Sequence, residues 1–185
     1  MTEPVRFLAV SGSLRKASFN SALIRAAIEL APAGIEIEVA DIGALPHYDD
    51  DVNATGFPEP VARFRDQCAK ADAFLIATPE YNYSIPGVLK NAIDWASRPP
   101  SQPFAGKVLG IVGATPYAGG TVRAQVHLRQ IAVFLDLHVV NKPEVLVRQA
   151  KDAFDGQGKL TDETTRKLLA QLLDAMARFT RKLEG

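Results

Sequence analysis

A loop rich in hydroxyl groups and cations follows the first apolar run of the sequence. Residues 11–21 read Ser-Gly-Ser-Leu-Arg-Lys-Ala-Ser-Phe-Asn-Ser, and a helical pattern begins at their end. Exposed main-chain N–H groups, the positive end of a helix dipole and the guanidinium of Arg15 together favour a phosphate group. The alternative is an ordinary polar connection with a good helix cap, and the loop alone leaves both interpretations open.

The sequence excludes several familiar phosphate-binding classes. No Gly-x-Gly-x-x-Gly follows the first strand, and no Gly-x-x-x-x-Gly-Lys-[Ser/Thr] occurs anywhere in the chain. Cys68 is the one cysteine and lies at helical spacing from Phe64 and Ala71, which predicts a small core residue and excludes a cysteine phosphatase loop. A phosphate site without a nucleophile indicates the binding of a phosphorylated cofactor.

A second loop with chemical potential follows the apolar run 73–77. Residues 78–87 contain two prolines and two tyrosines among polar side chains. Prolines stiffen such a segment, and its position after a buried strand displays the tyrosines and polar groups. A flat ring with polar edges fits this loop. A rigid aromatic turn that packs against its neighbours is the alternative interpretation.

The elements that position these loops alternate between strand and helix. Apolar runs predict five strands, at Val5–Val10, Ile35–Val39, Ala73–Ala77, Lys107–Ala114 and Leu137–Val140. Helical patterns lie between them, the first with Asn20 or Ser21 as its N-cap, and a last helix begins with Thr161 as its N-cap. This alternation predicts an α/β fold with a doubly wound parallel sheet, helices on both faces, and ligands beyond the carboxyl ends of the strands. The segment Glu144–Val147 stays unassigned.

Composition and charge narrow the function classes. The chain has 185 residues, which predicts a single domain over 1–185. Its 21 cationic and 21 acidic side chains cancel, so nothing draws it to nucleic acid or to an anionic membrane. One cysteine and no signal or membrane-spanning segment predict a cytoplasmic protein. The three histidines are far apart and show no metal-ligand spacing, so we expect no metal site; they are His47, His127 and His138.

Two groups of motifs together resemble a known family. Gly12-Ser13-Leu14-Arg15 with Ser18 and Asn20 forms the first group, and Pro79–Asn82 with Lys90–Trp95 forms the second. In combination they closely resemble the NADPH-dependent FMN reductase family, in particular its bacterial quinone and chromate reductase branch. The resemblance runs from the first strand to at least Glu144. It implies a flavodoxin-like fold with five parallel strands in the order 2-1-3-4-5.

The resemblance also implies the binding residues for FMN. The FMN phosphate is expected to contact Ser13, Arg15, Ser18, Asn20 and Ser21. The ribityl chain and the flavin ring are expected to lie along Pro79, Glu80, Tyr81 and Asn82, largely through main-chain groups. Thr115 is expected to approach the ring from the other side.

A flavin bound in this way implies an oxidoreductase that needs no protein acid or base. NADPH or NADH would donate the electrons, and the acceptors would be quinones, chromate, azo dyes, ferric chelates or flavin. The mechanism would be ping-pong, and Arg98 is a candidate residue for guiding the nicotinamide or the acceptor. The family resemblance also implies a homodimer or homotetramer.

The rival function is that of a flavodoxin-type one-electron carrier between protein partners. Such carriers are usually strongly acidic, and the zero net charge of this chain argues against that function.

Overall fold

A parallel sheet forms the centre of the fold. The computed structural model describes residues 3–185, and for Glu184 its main chain alone. The strands of the described chain are β1 (Val5–Ser11), β2 (Ile35–Ala40), β3 (Ala73–Ala77), β4 (Val108–Ala114), β5 (His138–Val139) and β6 (Val145–Val147). Their order is β2-β1-β3-β4-β5, with β6 also paired to β4. The predicted doubly wound sheet and its 2-1-3-4-5 order are confirmed.

Burial along the strands follows their place in the sheet. All five residues of β3 are apolar and buried, as expected of a central strand covered by helices on both faces. β2 alternates between half-buried Ile35 or Ile37 and exposed Glu36 or Glu38, because it borders the sheet and one of its faces meets solvent. The period of the apolar residues therefore encodes the position of each strand.

Two short strands share the outer edge beyond β4. β5 pairs with the start of β4, at Val108 and Leu109, whereas β6 pairs with its end, from Val112 to Ala114. The sheet thus has the five predicted strand positions, and the fifth position is filled by two strands in succession. The segment that the sequence left unassigned is β6, which extends pairing to the carboxyl end of β4.

Helices cover both faces of the sheet. They are α1 (Phe19–Leu30), α2 (Asp50–Ala54), α3 (Glu59–Lys70), α4 (Gly87–Ala96), α5 (Val122–Phe134), α6 (Ala150–Ala153) and α7 (Glu163–Glu184). One apolar core joins the sheet to α1, α6 and α7, and a second joins its other face to α3, α4 and α5. No helix within residues 3–185 is both long enough and apolar enough to cross a membrane.

Two of the predicted helix starts were wrong by one or a few residues. Ser18, rather than Asn20 or Ser21, caps α1, because its hydroxyl accepts bonds from the main-chain N–H groups of both those residues. Asp162, rather than Thr161, caps α7 through the N–H of Thr165. Short polar side chains have similar cap preferences, so neighbouring candidates are hard to separate from sequence alone.

Candidate functional site

Three loops meet at the carboxyl edge of the sheet. Ser11 at the end of β1 lies opposite Ala77 at the end of β3, and Ala77 lies opposite Val112 of β4. The loops that leave these strands are residues 12–18, 78–86 and 115–121. The chain departs in opposite directions from β1 and β3, since α1 and α4 cover different faces. This is the switch point at which doubly wound sheets bind their ligands.

The loop 12–18 presents several unpaired hydrogen-bond donors. Within the described chain, the main-chain N–H groups of Leu14, Lys16 and Ala17 donate no hydrogen bond. The side chain of Arg15 is exposed beside them, and α1 begins directly after the loop. Free N–H groups, a helix N-terminus and a guanidinium are the donors that a phosphate group needs. The residues of this loop therefore fit a phosphorylated ligand.

Hydroxyl groups give the loop its shape. The Oγ atoms of Ser11 and Ser21 lie 2.9 Å apart, and the Oγ of Ser13 accepts a hydrogen bond of 3.4 Å from the N–H of Arg15. Ser18 is 4% exposed and holds the first turn of α1. The structure thus gathers Ser13, Arg15, Ser18 and Ser21 around one loop, as predicted from the sequence. Their contact with a phosphate stays a prediction.

Asn20 has a further contact that local sequence does not reveal. Its amide nitrogen donates to the carbonyl oxygen of Ala114 at 3.0 Å, and its amide oxygen accepts from the N–H of Ala114 at 2.9 Å. The side chain is 3% exposed and ties the start of α1 to the end of β4. Asn20 therefore joins two of the three loops, and phosphate binding by this residue stays a prediction.

The loop 78–86 packs closely against the first one. A Cβ atom added to Gly12 would lie 3.2 Å from Cδ of Pro79, so glycine permits the approach of the two loops. Beyond Pro79 the chain makes a tight turn in which Tyr81 and Ser84 exchange two main-chain hydrogen bonds of 3.0 Å. The two residues inside this turn are Asn82 and Tyr83, with φ of 49° and 66°. Consecutive positive φ values are typical of a type I′ turn.

Glu80 points its carboxylate at α5. Oε2 accepts the main-chain N–H of Arg123 at 2.9 Å and that of Ala124 at 3.3 Å, while Oε1 accepts from the Arg123 guanidinium at 3.0 Å. The same guanidinium lies 3.9 Å from the centre of the Tyr83 ring. The predicted main-chain contact of Glu80 with the flavin stays a prediction, and no motif of the sequence pointed to Arg123.

Thr115 occupies a fixed position on the third loop. Its N–H donates to the carbonyl oxygen of Val147 and its carbonyl oxygen accepts the N–H of Ala150, both at 3.0 Å. The side chain is 6% exposed, whereas Tyr117 two residues later is 76% exposed. The β6 strand and the start of α6 thus hold this loop at the edge of the site.

Arg98 lies away from these loops. It follows the C-terminus of α4, and ten residues of helix place that end about 15 Å from Gly87 at the other end. Its Nε donates to the carbonyl oxygen of Asp94, and its guanidinium lies 5.3 Å from the centre of the Tyr48 ring. A hydrogen bond to Asp50 raises the pKa of that tyrosine. These contacts place Arg98 beside Tyr48 at the C-terminus of α4, and a role in guiding a substrate stays a prediction.

Cys68 and the three histidines all lie outside the three loops. Cys68 is fully buried, as predicted, and burial raises the pKa of its thiol to about 12. His127 on α5 shares a hydrogen bond of 3.0 Å with the hydroxyl of Ser84. Residues 3–185 contain no group of three His, Cys, Asp or Glu side chains that could hold a metal ion.

The fold and the loops define a class of protein, a doubly wound α/β protein whose switch-point loops fit a mononucleotide. Residues 5–152 match the family described as NADPH-dependent FMN reductase. The chain is 56% identical over 185 residues to an NAD(P)H-dependent FMN reductase of Pseudomonas aeruginosa, with 100% of both covered. It is 46% identical over 187 residues to an NADPH:quinone oxidoreductase of Arabidopsis thaliana, with 98% of this chain and 94% of the relative covered.

A solved structure agrees with these relatives. FerB, a flavoenzyme NAD(P)H:(acceptor) oxidoreductase from Paracoccus denitrificans, superimposes with a TM-score of 0.87 at 37% identity, over 96% of this chain and 98% of that one. The chain belongs to the NADPH-dependent FMN reductase family. It is an oxidoreductase that uses FMN as its flavin and NAD(P)H as its electron donor, as the resemblance predicted.

Proposed function

We propose that this protein is an FMN-dependent NAD(P)H:quinone reductase and that the three loops at the switch point hold the FMN. One observation carries the proposal. Three unpaired N–H groups, at Leu14, Lys16 and Ala17, lie beside the N-terminus of α1, where β1 and β3 diverge. A phosphate there meets main-chain donors and the helix dipole without displacing any existing hydrogen bond of those groups.

The loop 12–18 and the first turn of α1 would bind the phosphate. Arg15 contributes the positive charge, and the hydroxyls of Ser13, Ser18 and Ser21 contribute donors once their hydrogens reorient. Asn20 fixes this loop against β4 through Ala114. We propose that these five predicted residues form the phosphate site together.

The loops 78–86 and 115–121 would flank the ribityl chain and the ring. Pro79, Glu80, Tyr81 and Asn82 supply main-chain groups from one side, and Thr115 lies on the loop that closes the other side. The chemistry that bound FMN supplies is the acceptance of two electrons from a nicotinamide and their delivery to an acceptor. The residues of the chain bind and orient the reactants, since no acid or base is required of them.

Quinones are the acceptors that the comparisons support best. The relative from Arabidopsis thaliana is named NADPH:quinone oxidoreductase, and a relative from Escherichia coli, 43% identical over 187 residues, is named quinone reductase. Chromate, azo dyes, ferric chelates and free flavin remain further proposed acceptors. Tyr81 and Tyr117 are 47% and 76% exposed on the two loops that we propose flank the ring. We therefore expect donor and acceptor to reach the ring in turn. We expect a ping-pong mechanism, which initial rates at varied concentrations of both substrates test through parallel double-reciprocal lines.

We also propose that the protein is a cytoplasmic homodimer or homotetramer. The exposed face of α5 carries Val126, Val133 and Phe134, which are 56%, 81% and 83% exposed. Apolar side chains of this size at one helix face are typical of a contact surface. Light scattering on the purified protein measures the assembly, and a monomeric mass at micromolar concentration would contradict it.

Replacement of Arg15 tests the phosphate site. We expect Arg15→Ala to weaken FMN binding about 10- to 100-fold, because a hydrogen bond to a charged group contributes roughly 1.5–3 kcal/mol. Arg25→Ala is the matched control, since Arg25 is an exposed arginine on α1 beyond the first turn. Fluorescence titration of the apoprotein with FMN measures both. Equal affinities for wild type and Arg15→Ala would place the phosphate elsewhere.

A further inference from the structure

Five side chains connect the loop 78–86 to α5. We call this group the clasp: Glu80, Tyr83 and Ser84 from the loop, and Arg123 and His127 from the helix. Three separate contacts join the two sides, namely the Glu80 carboxylate to Arg123 and Ala124, the Arg123 guanidinium over the Tyr83 ring, and His127 to the Ser84 hydroxyl. The clasp thus links one loop that borders the proposed flavin site to α5, the helix that follows the loop 115–121.

Glu80 supplies the main-chain cap that the N-cap residue of α5 does not provide. Thr121 occupies the N-cap position, but its hydroxyl accepts from the side-chain amide of Gln125 at 3.2 Å and binds no main-chain N–H of the first turn. The N–H groups of Arg123 and Ala124 instead donate to the carboxylate of Glu80, from 43 and 44 residues earlier in the sequence. A carboxylate at a helix N-terminus is favoured by both the unpaired N–H groups and the helix dipole. The Glu80 side chain is 12% exposed, so water competes only weakly for its hydrogen bonds to α5.

The turn held by the clasp is strained. Asn82 and Tyr83 both have a positive φ, and a bulky side chain in this conformation costs about 1–3 kcal/mol. Such a conformation persists only where surrounding contacts enforce it. Two main-chain hydrogen bonds between Tyr81 and Ser84 close the turn. Arg123 and His127 add contacts from α5, at 3.9 Å from the Tyr83 ring and 3.0 Å from the Ser84 hydroxyl.

We propose that Glu80 is a positioning residue that couples the flavin-binding loop 78–86 to α5 and thereby fixes the distance between the two walls of the ring site. This inference rests on the proposed function, because it assumes that FMN binds between these loops. We expect the main chain of Glu80 to contact the ligand, while its carboxylate binds the first turn of α5. Occupation of the loop by FMN therefore stabilises the first turn of α5, although α5 contributes none of the proposed FMN ligands.

Hydrogen exchange measured by mass spectrometry tests the coupling. In the wild type, FMN should slow exchange in peptides that cover 78–84 and in those that cover 119–126. In Glu80→Gln, FMN should slow exchange only in the first peptide, because the amide has no charge and one acceptor oxygen in place of the two that bind α5. Glu59→Gln is the matched control, since Glu59 forms an ion pair of 3.0 Å with Arg63 on α3, away from the site. This control should behave as the wild type.

The FMN affinity of the same variants provides the second readout. We expect Glu80→Gln to bind FMN about tenfold more weakly than wild type, which corresponds to 1.4 kcal/mol. Arg123→Gln should cause a smaller loss, because the main-chain N–H groups of residues 123 and 124 still bind Glu80. The double variant should lose less than the sum of the two single losses, because the Glu80 carboxylate and the Arg123 guanidinium bind each other. Ser84→Ala, which removes only the His127 contact, is a milder variant that should lose about threefold and keeps the test available should Glu80→Gln unfold.

The outcomes separate this inference from the proposed function. A wild type that does not bind FMN would refute the proposed function. A wild type that binds FMN, with Glu80→Gln and Ser84→Ala equal to it in affinity and in the protection of 119–126, would refute the inference alone. Weaker binding by Glu80→Gln without any change in the protection of 119–126 would also refute it, since the carboxylate would then act on the ligand directly.

Discussion

Replacement of Gly113 by alanine places a methyl group where the structure has no room for it. The added Cβ atom would lie 2.6 Å from the main-chain carbonyl oxygen of Thr78 and 2.9 Å from Cβ of Thr121, and it would also overlap the Thr121 hydroxyl. Gly113 belongs to β4 in the middle of the sheet, and both threonines are fully buried. A main-chain carbonyl cannot rotate away as a flexible side chain can, so the strand or the loop must move.

The cost of this movement follows from the packing of the core. Overpacking a buried site costs about 1–3 kcal/mol, and a clash with main chain belongs at the upper end of that range. One kcal/mol lowers the melting temperature of a chain of this length by roughly 2–4 °C. We therefore expect Gly113→Ala to melt about 6 to 12 °C below the wild type. Because Thr78 and Thr121 start and end loops of the site, weaker FMN binding should accompany the loss.

Thermal unfolding followed by circular dichroism measures the effect. Gly156→Ala is the control, because a Cβ atom there meets no atom within 4 Å and the backbone is not in the left-handed region. This control should melt within about 2 °C of the wild type. Adding Thr121→Ala to Gly113→Ala removes the hydroxyl overlap and should recover part of the loss. A Gly113→Ala protein that melts like the wild type would refute the close packing of β4 against these two loops.

Two further predictions concern ionisable groups away from the site. At neutral pH the Cys68 thiol should react with a disulfide reagent roughly a thousandfold more slowly in the folded protein than after denaturation. Burial raises the pKa of this thiol to about 12 and so leaves little thiolate. Equal rates in the two states would contradict the burial of Cys68. Asp162 caps α7, and its hydrogen bonds with Thr165 lower the pKa of its carboxyl group. The cap should therefore add about 1 kcal/mol to the free energy of unfolding above pH ~4, and this stabilisation should be lost as the pH falls through the lowered pKa. Chemical denaturation of wild type and Asp162→Ala across this range measures it, and a difference that does not shrink in acid would count against the cap.

Period and composition were sufficient to predict the sheet. The uninterrupted apolar run of β3 and the alternation of β2 reflect burial on two faces and on one, and these patterns distinguish a central strand from an edge strand without any knowledge of contacts. The full strand order was implied by the family resemblance. β6 was not predicted because it has three residues, too few to show a period. Its existence depends on pairing with the end of β4, which is a tertiary contact.

The candidate site could be located from sequence but its internal contacts could not. Loops after buried strands of a doubly wound sheet must meet at one edge, so the positions of residues 11–21 and 78–87 predict a site there. Their composition allowed a phosphate and a flat ring but also two ordinary loops, and the family resemblance was needed to favour FMN. Asn20 and Ala114 are 94 residues apart, and Glu80 and Arg123 are 43 apart. Pairs at such separations leave no local signal in one sequence. The acid at Glu80 and the missing cap at Thr121 become related only once the loops are placed side by side.

An anaerobic titration of the FMN-reconstituted protein tests the central claim most directly. NADPH and then NADH are added while the flavin absorbance band is followed, and a quinone is added last. We predict full two-electron bleaching by at least one nucleotide and rapid recovery of the band with quinone. Bound flavin that neither nucleotide reduces would contradict the reductase and favour the one-electron carrier, and a protein that fails to retain FMN would contradict the proposed site itself.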